Sequence, residues 1–243
     1  MNLLIDMGNT RLKWATTENG QLIAGQPLLN TCINRQGLID AWNAIAPPGR
    51  IAVSCVGADR LLELVQSVAF ELWLDVDVIV ARSQNQAFGL INAYRQPEKL
   101  GIDRWLSLVA AWRQYRGPLC IADCGTAITI DLIDADGRHQ GGLISPGLTL
   151  MKKSLLHGTE ALPYTEAVYA PGPADFTEAA IYNGTLAAAV GLIEHVLTTQ
   201  AANTRLVLAG GDAGLIAGQL NVAFVVDPDL VLRGLLCVLE EQG

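Results

Sequence analysis

The chain has 243 residues, 51% of them hydrophobic, with 16 Lys and Arg against 24 Asp and Glu and a formal net charge of −8. That length admits one large domain or two ordinary ones with their own cores, and the acidic balance excludes a nucleic-acid surface, which needs clustered positive charge. Five cysteines, odd in number and without a C-x-x-C pair, predict reduced core thiols and exclude a disulfide scaffold.

Asn2-Leu3-Leu4-Ile5 is an apolar run too short for a helix and predicts a strand that delivers Asp6 to its end. Gly8 follows, where backbone can approach a ligand with no Cβ in the way. Arg11 to Glu18 and residues 21 to 26 predict two more strands, joined at Asn19-Gly20, a type I′ hairpin dipeptide. Residues 35 to 46 predict a helix stopped by Pro47-Pro48-Gly49. Ile51 to Val56 predicts a buried strand, Leu61, Leu62, Val65, Val68 and Leu72 keep helical spacing, and Val76 to Val80 returns to strand. Such alternation implies a largely parallel sheet covered by helices. Residues 81 to 101, rich in Gln, Asn and Gly, predict a long functional or disordered loop. It ends at Gly101-Ile102-Asp103-Arg104, before a helix with Trp105, Leu108, Val109 and Trp112 on its apolar face.

After the break at Gly117-Pro118 the opening pattern returns. Leu119-Cys120-Ile121-Ala122 leads to Asp123, Gly125 and Thr126, and a second hairpin is expected at Asp136-Gly137, also as type I′. The two Asp-x-Gly loops and the two hairpin glycines stand 117 residues apart. Gly141 to Gly147 leads into a helix with Leu148, Met151, Leu155 and Leu156, and residues 157 to 174 predict a second long loop. A helix from about Asp175 to Gln200, the strand Leu206 to Ala209 ending in Gly210-Gly211-Asp212, a short helix, the strand Val222 to Val226 and a helix from Asp229 to Glu240 follow. Three antiparallel strands followed by alternating helices and strands, given twice, predict an α/β fold of duplicated ribonuclease H-like (actin-like) domains with a nucleotide cleft between them. The halves are expected at 1–116 and 117–243. The N-terminus enters a strand at once, with no basic, apolar leader. No apolar run is expected to reach the ~18 residues of a membrane span, because Glu194-His195 and Arg233 interrupt the best candidates. A cytoplasmic protein is the expectation.

Asp6 beside Gly8 suits a magnesium-bound water, since that ion takes few carboxylates and completes its shell with water and phosphate oxygens. The competing role is an Asx turn at a strand end. Asn9 and Thr10 would add hydrogen bonds to phosphate, and Lys13 a positive charge. Asp103 has two readings from spacing: an N-cap immediately before the helix, or a general base for a hydroxyl attacking a γ-phosphate. Arg104 offers a fork for a carboxylate or phosphate. There is no G-x-x-x-x-G-K-[ST] and no G-x-G-x-x-G. His139, His157 and His195 lack metal spacing, and Ser145 lacks a nucleophile elbow. Phosphoryl transfer from a nucleotide, or nucleotide binding without transfer, remains.

These residues together resemble the type III pantothenate kinases of the acetate and sugar kinase, Hsp70 and actin superfamily, over nearly the whole chain. Asp6-x-Gly8-Asn9-Thr10 with Lys13 is similar to the family's first phosphate motif, Gly101-x-Asp103-Arg104 to its G-x-D-R signature, and Asp123-x-Gly125-Thr126-Ala127 to its second phosphate motif. Gly141-Gly142-x-Ile144-x-Pro146-Gly147 with Leu162-Pro163 resembles the interdomain stretch, and Gly210-Gly211-Asp212-Ala213 the adenosine motif. The resemblance implies ATP-dependent phosphorylation of pantothenate to 4′-phosphopantothenate, the first step of coenzyme A biosynthesis, with Asp103 as general base. Tyr94, Gly101, Ile102, Asp103, Arg104 and Thr177 would line the pantothenate site. Asp6, Gly8, Asn9, Thr10, Lys13, Thr126, Gly210 and Gly211 would hold ATP with magnesium, and Asp123 a monovalent cation, potassium or ammonium. A homodimer through the long helix is implied, with no nucleic-acid or membrane partner. The chain departs from the family at Val53-Ser54-Cys55-Val56, which lacks a usual second Ser and a Pro, and at Phe176 before Thr177. The alternatives are a nucleotide-binding regulatory accessory protein of the same fold and a kinase of another small hydroxyl compound.

Overall fold

The opening apolar run forms β1 (Leu3–Met7), whose five residues are all buried. Buried on both faces, it pairs antiparallel with β2 (Arg11–Glu18) and parallel with β5 (Arg50–Cys55). This computed structural model describes residues 1–57 and 59–241. Asn19 and Gly20 have φ of 51° and 77°, the expected type I′ turn, and carry the chain into β3 (Gln21–Ala24). A short extra strand, β4 (Leu28–Leu29), also pairs with β2. Helix α1 (Arg35–Trp42) starts at Asn34, whose side chain accepts from Gly37 N–H. Helix α2 (Asp59–Leu72) leads to β6 (Asp77–Val80), completing the order β3-β2-β1-β5-β6.

The loop expected over 81–101 is ordered by specific bonds. It contains a small hairpin, β7 (Gln86–Ala87) and β8 (Leu90–Ile91), turned at Phe88 and Gly89, both with positive φ. Asn92, buried, donates to the Gln84 and Pro97 carbonyls and accepts from Tyr94 N–H, and Ser83 donates to the Leu100 carbonyl at 2.7 Å. Helix α3 (Ile102–Tyr115) follows, buried without interruption from Arg104 to Trp112.

The second set repeats the first. Strands β9 (Leu119–Cys124), β10 (Ala127–Ile133) and β11 (His139–Pro146) form the antiparallel half. After helices α4 (Leu148–Gly158) and α5 (Thr177–Thr198) come β12 (Arg205–Ala209), α6 (Ala213–Ala217) and β13 (Phe224–Val226). The order β11-β10-β9-β12-β13 matches the first sheet strand for strand, so each unit is ribonuclease H-like (actin-like). The second hairpin differs from its expected type. Only Gly137 takes positive φ, because the Asp134 carboxylate accepts from the N–H groups of Asp136 and Arg138 and shapes a longer turn. The segment between α4 and α5 is pinned: Lys152 Nζ donates to the Thr165 carbonyl, and Asn183 to those of Ala170 and Gly172.

Each unit has its own core. One gathers β1, β2, β5, α1 and α2 around Trp42 and Ile5; the other packs α5 on β9, β10 and β12. The division differs from the expected halves, since the compact units are Met1–Gln114 with Asp229–Gly243, and Tyr115–Pro228. Helix α7 (Leu230–Glu241) therefore belongs to the first unit. There Arg50 donates to the Leu239 carbonyl at 2.9 Å and Arg113 pairs with Glu240 at 2.6 Å. Gly234 lies so close to the Leu106 backbone that a Cβ would collide with its carbonyl.

Two expectations from composition change. Cys32 is exposed and Cys55 half-buried, whereas Cys120, Cys124 and Cys237 are core thiols. Helix α5 is, by length and composition, long and apolar enough to cross a membrane despite Glu194 and His195; 44% of its 18-residue window is buried inside the protein.

Candidate active site

In the first unit Asp6 stands near the end of β1, buried, with Lys13 as its cross-strand partner on β2 and Ser54 beside it on β5. Gly8 closes the turn by donating its N–H to the Arg11 carbonyl at 3.1 Å. Asn9 and Thr10 are exposed at its tip, and Lys13 is half-buried. A carboxylate and an ammonium side by side at the mouth of a glycine turn can hold a hydrated cation and the phosphates it bridges. Asp6 brings one buried carboxylate to this turn, a donor that fits an ion completing its shell with water and phosphate oxygens.

The second cluster of this unit is built on the N-terminus of α3. Ile102 is its first residue and Asp103 its second, so the N-cap position expected for Asp103 belongs to Gly101, whose carbonyl accepts from Trp105 N–H at 3.0 Å. Asp103 instead accepts from Arg104 N–H at 2.8 Å. A Cβ on Gly101 would lie 2.6 Å from Asp103 Oδ1, so glycine leaves this carboxylate its room. Arg104, 7% exposed, donates to the Tyr94 hydroxyl at 2.7 Å, with its guanidinium 5.5 Å from the Tyr94 ring centre. Ile102 is buried and can offer a ligand little but backbone.

In the second unit Asp123 on β9 has Thr129, not a lysine, as its cross-strand partner. The turn is one residue shorter, with Gly125 donating to the Ala127 carbonyl at 3.0 Å and Thr126 exposed. Gly210, at φ +88°, is packed on this turn: a Cβ there would meet the Cys124 carbonyl and lie 2.5 Å from Asp123 Oδ1. Asp212 N–H donates to the same Cys124 carbonyl at 2.9 Å. Burial pushes the Cys124 thiol up to about 12, helped by the negative charges of Asp123 and Asp212. Two carboxylates around one glycine-lined turn fit a bound cation. Gly211 meets nothing within 4 Å at its Cβ position and leaves open space.

Thr177 is the exposed first residue of α5, in a groove of about 560 Å³ shared with Met151, Leu155, Leu162, Ala180 and Gly184. Within the first unit the structure thus brings Tyr94, Gly101, Asp103 and Arg104 together, while Thr177 lies in the second unit. His139, which shows no metal spacing in the sequence, forms a buried pair with Asp131 at 2.8 Å. An Asp at an alternate position of β10 and a His opening β11 were its only signal.

A model of the type III pantothenate kinase family matches residues 2–199. The chain belongs to the type III pantothenate kinase family. It is 40% identical over 255 residues to the type III pantothenate kinase of Nitrosococcus oceani, covering 100% of this chain and 95% of that one. It is 36% identical over 249 residues to that of Herminiimonas arsenicoxydans, covering 97% and 96%. Among solved structures it is similar to a Campylobacter jejuni protein provisionally described as a Baf family transcriptional activator, with a TM-score of 0.61, 24% identity, and 99% and 98% of the chains covered. It is also similar to the activator of 2-hydroxyisocaproyl-CoA dehydratase from Clostridium difficile, solved with ADPNP, with a TM-score of 0.53, 11% identity, and 99% and 96% covered. At these identities the likeness to solved structures shows the fold alone, whereas the curated relatives give type III pantothenate kinase over the full length of the chain.

Proposed function

We infer that the residues gathered at the start of α3 and in the two glycine turns carry out the family's reaction. That reaction is ATP-dependent phosphorylation of pantothenate to 4′-phosphopantothenate, a phosphotransfer to an alcohol and the first step of coenzyme A biosynthesis. The observation that carries the residue assignment is the pairing of Asp103, held by its own helix N-terminus, with Arg104 locked onto Tyr94. A rigid carboxylate next to a fixed guanidinium can accept a hydroxyl proton while the substrate is held in place.

In this reading Asp103 takes the proton of the attacking hydroxyl, and Arg104, Tyr94, Gly101 and Ile102 line the pantothenate site; in the second unit Thr177, on α5, is a further candidate pantothenate contact. In the first unit Lys13, Asn9, Thr10 and Gly8 hold the ATP phosphates; in the second, Thr126 is a further candidate phosphate contact, Gly210 packs on its turn, and Gly211 leaves open space suited to the adenosine. Asp6 holds a magnesium ion through water. When bound, that ion neutralises charge on the transferring phosphoryl group. Asp123, with Asp212 nearby, holds potassium or ammonium. Helix α5 exposes Ala180, Gly184, Ala187, Ala188 and Gly191, a run of small residues that suits close packing against a second copy, so a cytoplasmic homodimer is part of the proposal.

A coupled assay of ADP release tests it: turnover with pantothenate, none with other small alcohols, and a rise on adding potassium are expected. ADP release independent of pantothenate would refute the substrate. A light-scattering mass of one chain would refute the dimer.

A further inference from the structure

The first glycine turn is clasped from outside by a residue that no motif contains. Strand β4 runs beside β2, with Leu29 opposite Arg11, and places Asn30 next to the turn. The Asn30 backbone N–H donates to the Thr10 carbonyl at 3.0 Å, and its side-chain Nδ2 donates to the Gly8 carbonyl at 2.8 Å. One residue thereby ties both ends of Gly8-Asn9-Thr10. The orientation of its amide is fixed by chemistry, because only the NH₂ group can donate to a carbonyl. The other atom, Oδ1, is shielded from solvent and has no hydrogen-bond partner among the described residues. Unpaired buried acceptors are disfavoured, so packing alone gives no reason for an amide here; the bond to Gly8 does.

The second unit supplies an internal comparison. The position 117 residues after Asn30 is Gly147, whose N–H makes the equivalent backbone bond in the shorter turn, to the Thr126 carbonyl at 3.0 Å. It has no side chain, and a Cβ there would collide with the carbonyl of Gly125, the counterpart of Gly8. The shorter turn is thus packed directly against backbone, and the longer one is held by an amide. In a planar trans peptide the C=O and the following N–H point in opposite directions. A Gly8 carbonyl tied to Asn30 therefore turns the Asn9 N–H away from Asn30, as a backbone donor suited to an anion.

We propose that Asn30 is a positioning residue for the nucleotide: it fixes the Gly8–Asn9 peptide plane so that the first turn meets the ATP phosphates in a single preset geometry. The inference rests on the reading of that turn as a phosphate site. Asn30→Leu and Asn30→Ala both remove the donor, and the leucine also removes the unpaired acceptor while filling similar space. Loss of one hydrogen bond's worth of preorganisation raises KM for ATP about fivefold to tenfold. KM for pantothenate stays unchanged, and the melting temperature of the leucine protein is equal to or above that of the parent. An ATP KM equal to the parent's in both variants, or an equal rise in both substrates' KM, overturns the proposal. Lys13→Ala, measured in parallel, separates the two levels. If it raises the ATP KM and the Asn30 variants do not, only the role of Asn30 falls; if it too has no effect, the reading of the turn as a phosphate site falls.

Discussion

Arg104 and Tyr94 form a locked pair: the guanidinium donates to the phenol oxygen at 2.7 Å and lies 5.5 Å from the centre of the same ring. With Arg104 only 7% exposed, its direction is set before any ligand arrives. Preorganised groups of this kind lower the ordering cost of binding.

Tyr94→Phe keeps the ring and removes the hydroxyl acceptor. The expected result is a rise in KM for pantothenate of roughly threefold to tenfold, the net worth of one ordinary intramolecular hydrogen bond, with kcat changed less. Steady-state kinetics with each substrate varied in turn would check it, and an unchanged pantothenate KM would remove Tyr94 from the site.

Asp103→Asn tests the base. Asparagine retains an oxygen that can accept from the Arg104 N–H, as the carboxylate does at 2.8 Å, so the helix start is kept while the proton acceptor is lost. A fall in kcat of about 10²- to 10⁴-fold is expected, with nucleotide affinity near the parent's. Full turnover by the variant would sink the assignment.

Much of this was legible in the residues because each signal was local. A short apolar run, an Asp, a glycine and a polar residue define β1 and β9 with their turns, and the repeat at 117 residues yields the matched strand orders. Long-range partners are what sequence leaves open. The apolar face of α7 says that it is buried but not which sheet it meets, so its place in the first unit was not visible. Asn92 and Asn30 are single amides in turn-rich segments with no periodicity, and their partners lie up to 22 residues away. Asp134 changed the second hairpin through a side-chain bond that a dipeptide rule does not contain. Asp103 as base and Tyr94 as substrate contact came from the family resemblance, since spacing alone left Asp103 between a cap and a base.

Asp123→Ala probes the proposed cation site. Removing one of the two carboxylates around the Gly125 turn should abolish most of the activation by potassium while leaving a low activity without it. Titration of rate against potassium chloride, with sodium chloride at matched ionic strength as the control, would show this. A parent-like potassium response in the variant places the cation elsewhere.

Gly234→Ala addresses the helix that completes the first unit. A Cβ at this position collides with the Leu106 carbonyl, and backbone cannot move aside as a flexible side chain would. Overpacking of this kind costs about 1–3 kcal/mol, so the melting temperature should drop by several degrees, with KM values unchanged in the folded fraction. A melting temperature equal to the parent's would show that α7 and α3 are less closely packed.

The buried thiols give the protein an alkaline weakness. Burial raises Cys120 and Cys124 from 9.0 to about 12, with Asp131 adding to the first and Asp123 and Asp212 to the second. Above pH 9 thiols of the unfolded chain ionise while these two stay protonated in the folded one. The folded state then binds more protons, and stability falls as pH rises. The loss begins near the unfolded value and is complete only above about 12, where the folded thiols also ionise. Urea midpoints at several values between pH 8 and 11 should decline more steeply for the parent than for a Cys120→Ala/Cys124→Ala protein, whatever the double variant's stability at pH 8. Below pH 9 the same burial protects both thiols, so a thiol reagent should label the exposed Cys32 well before either. Parallel midpoint curves for parent and variant would rule out the two thiols as the source of the alkaline loss.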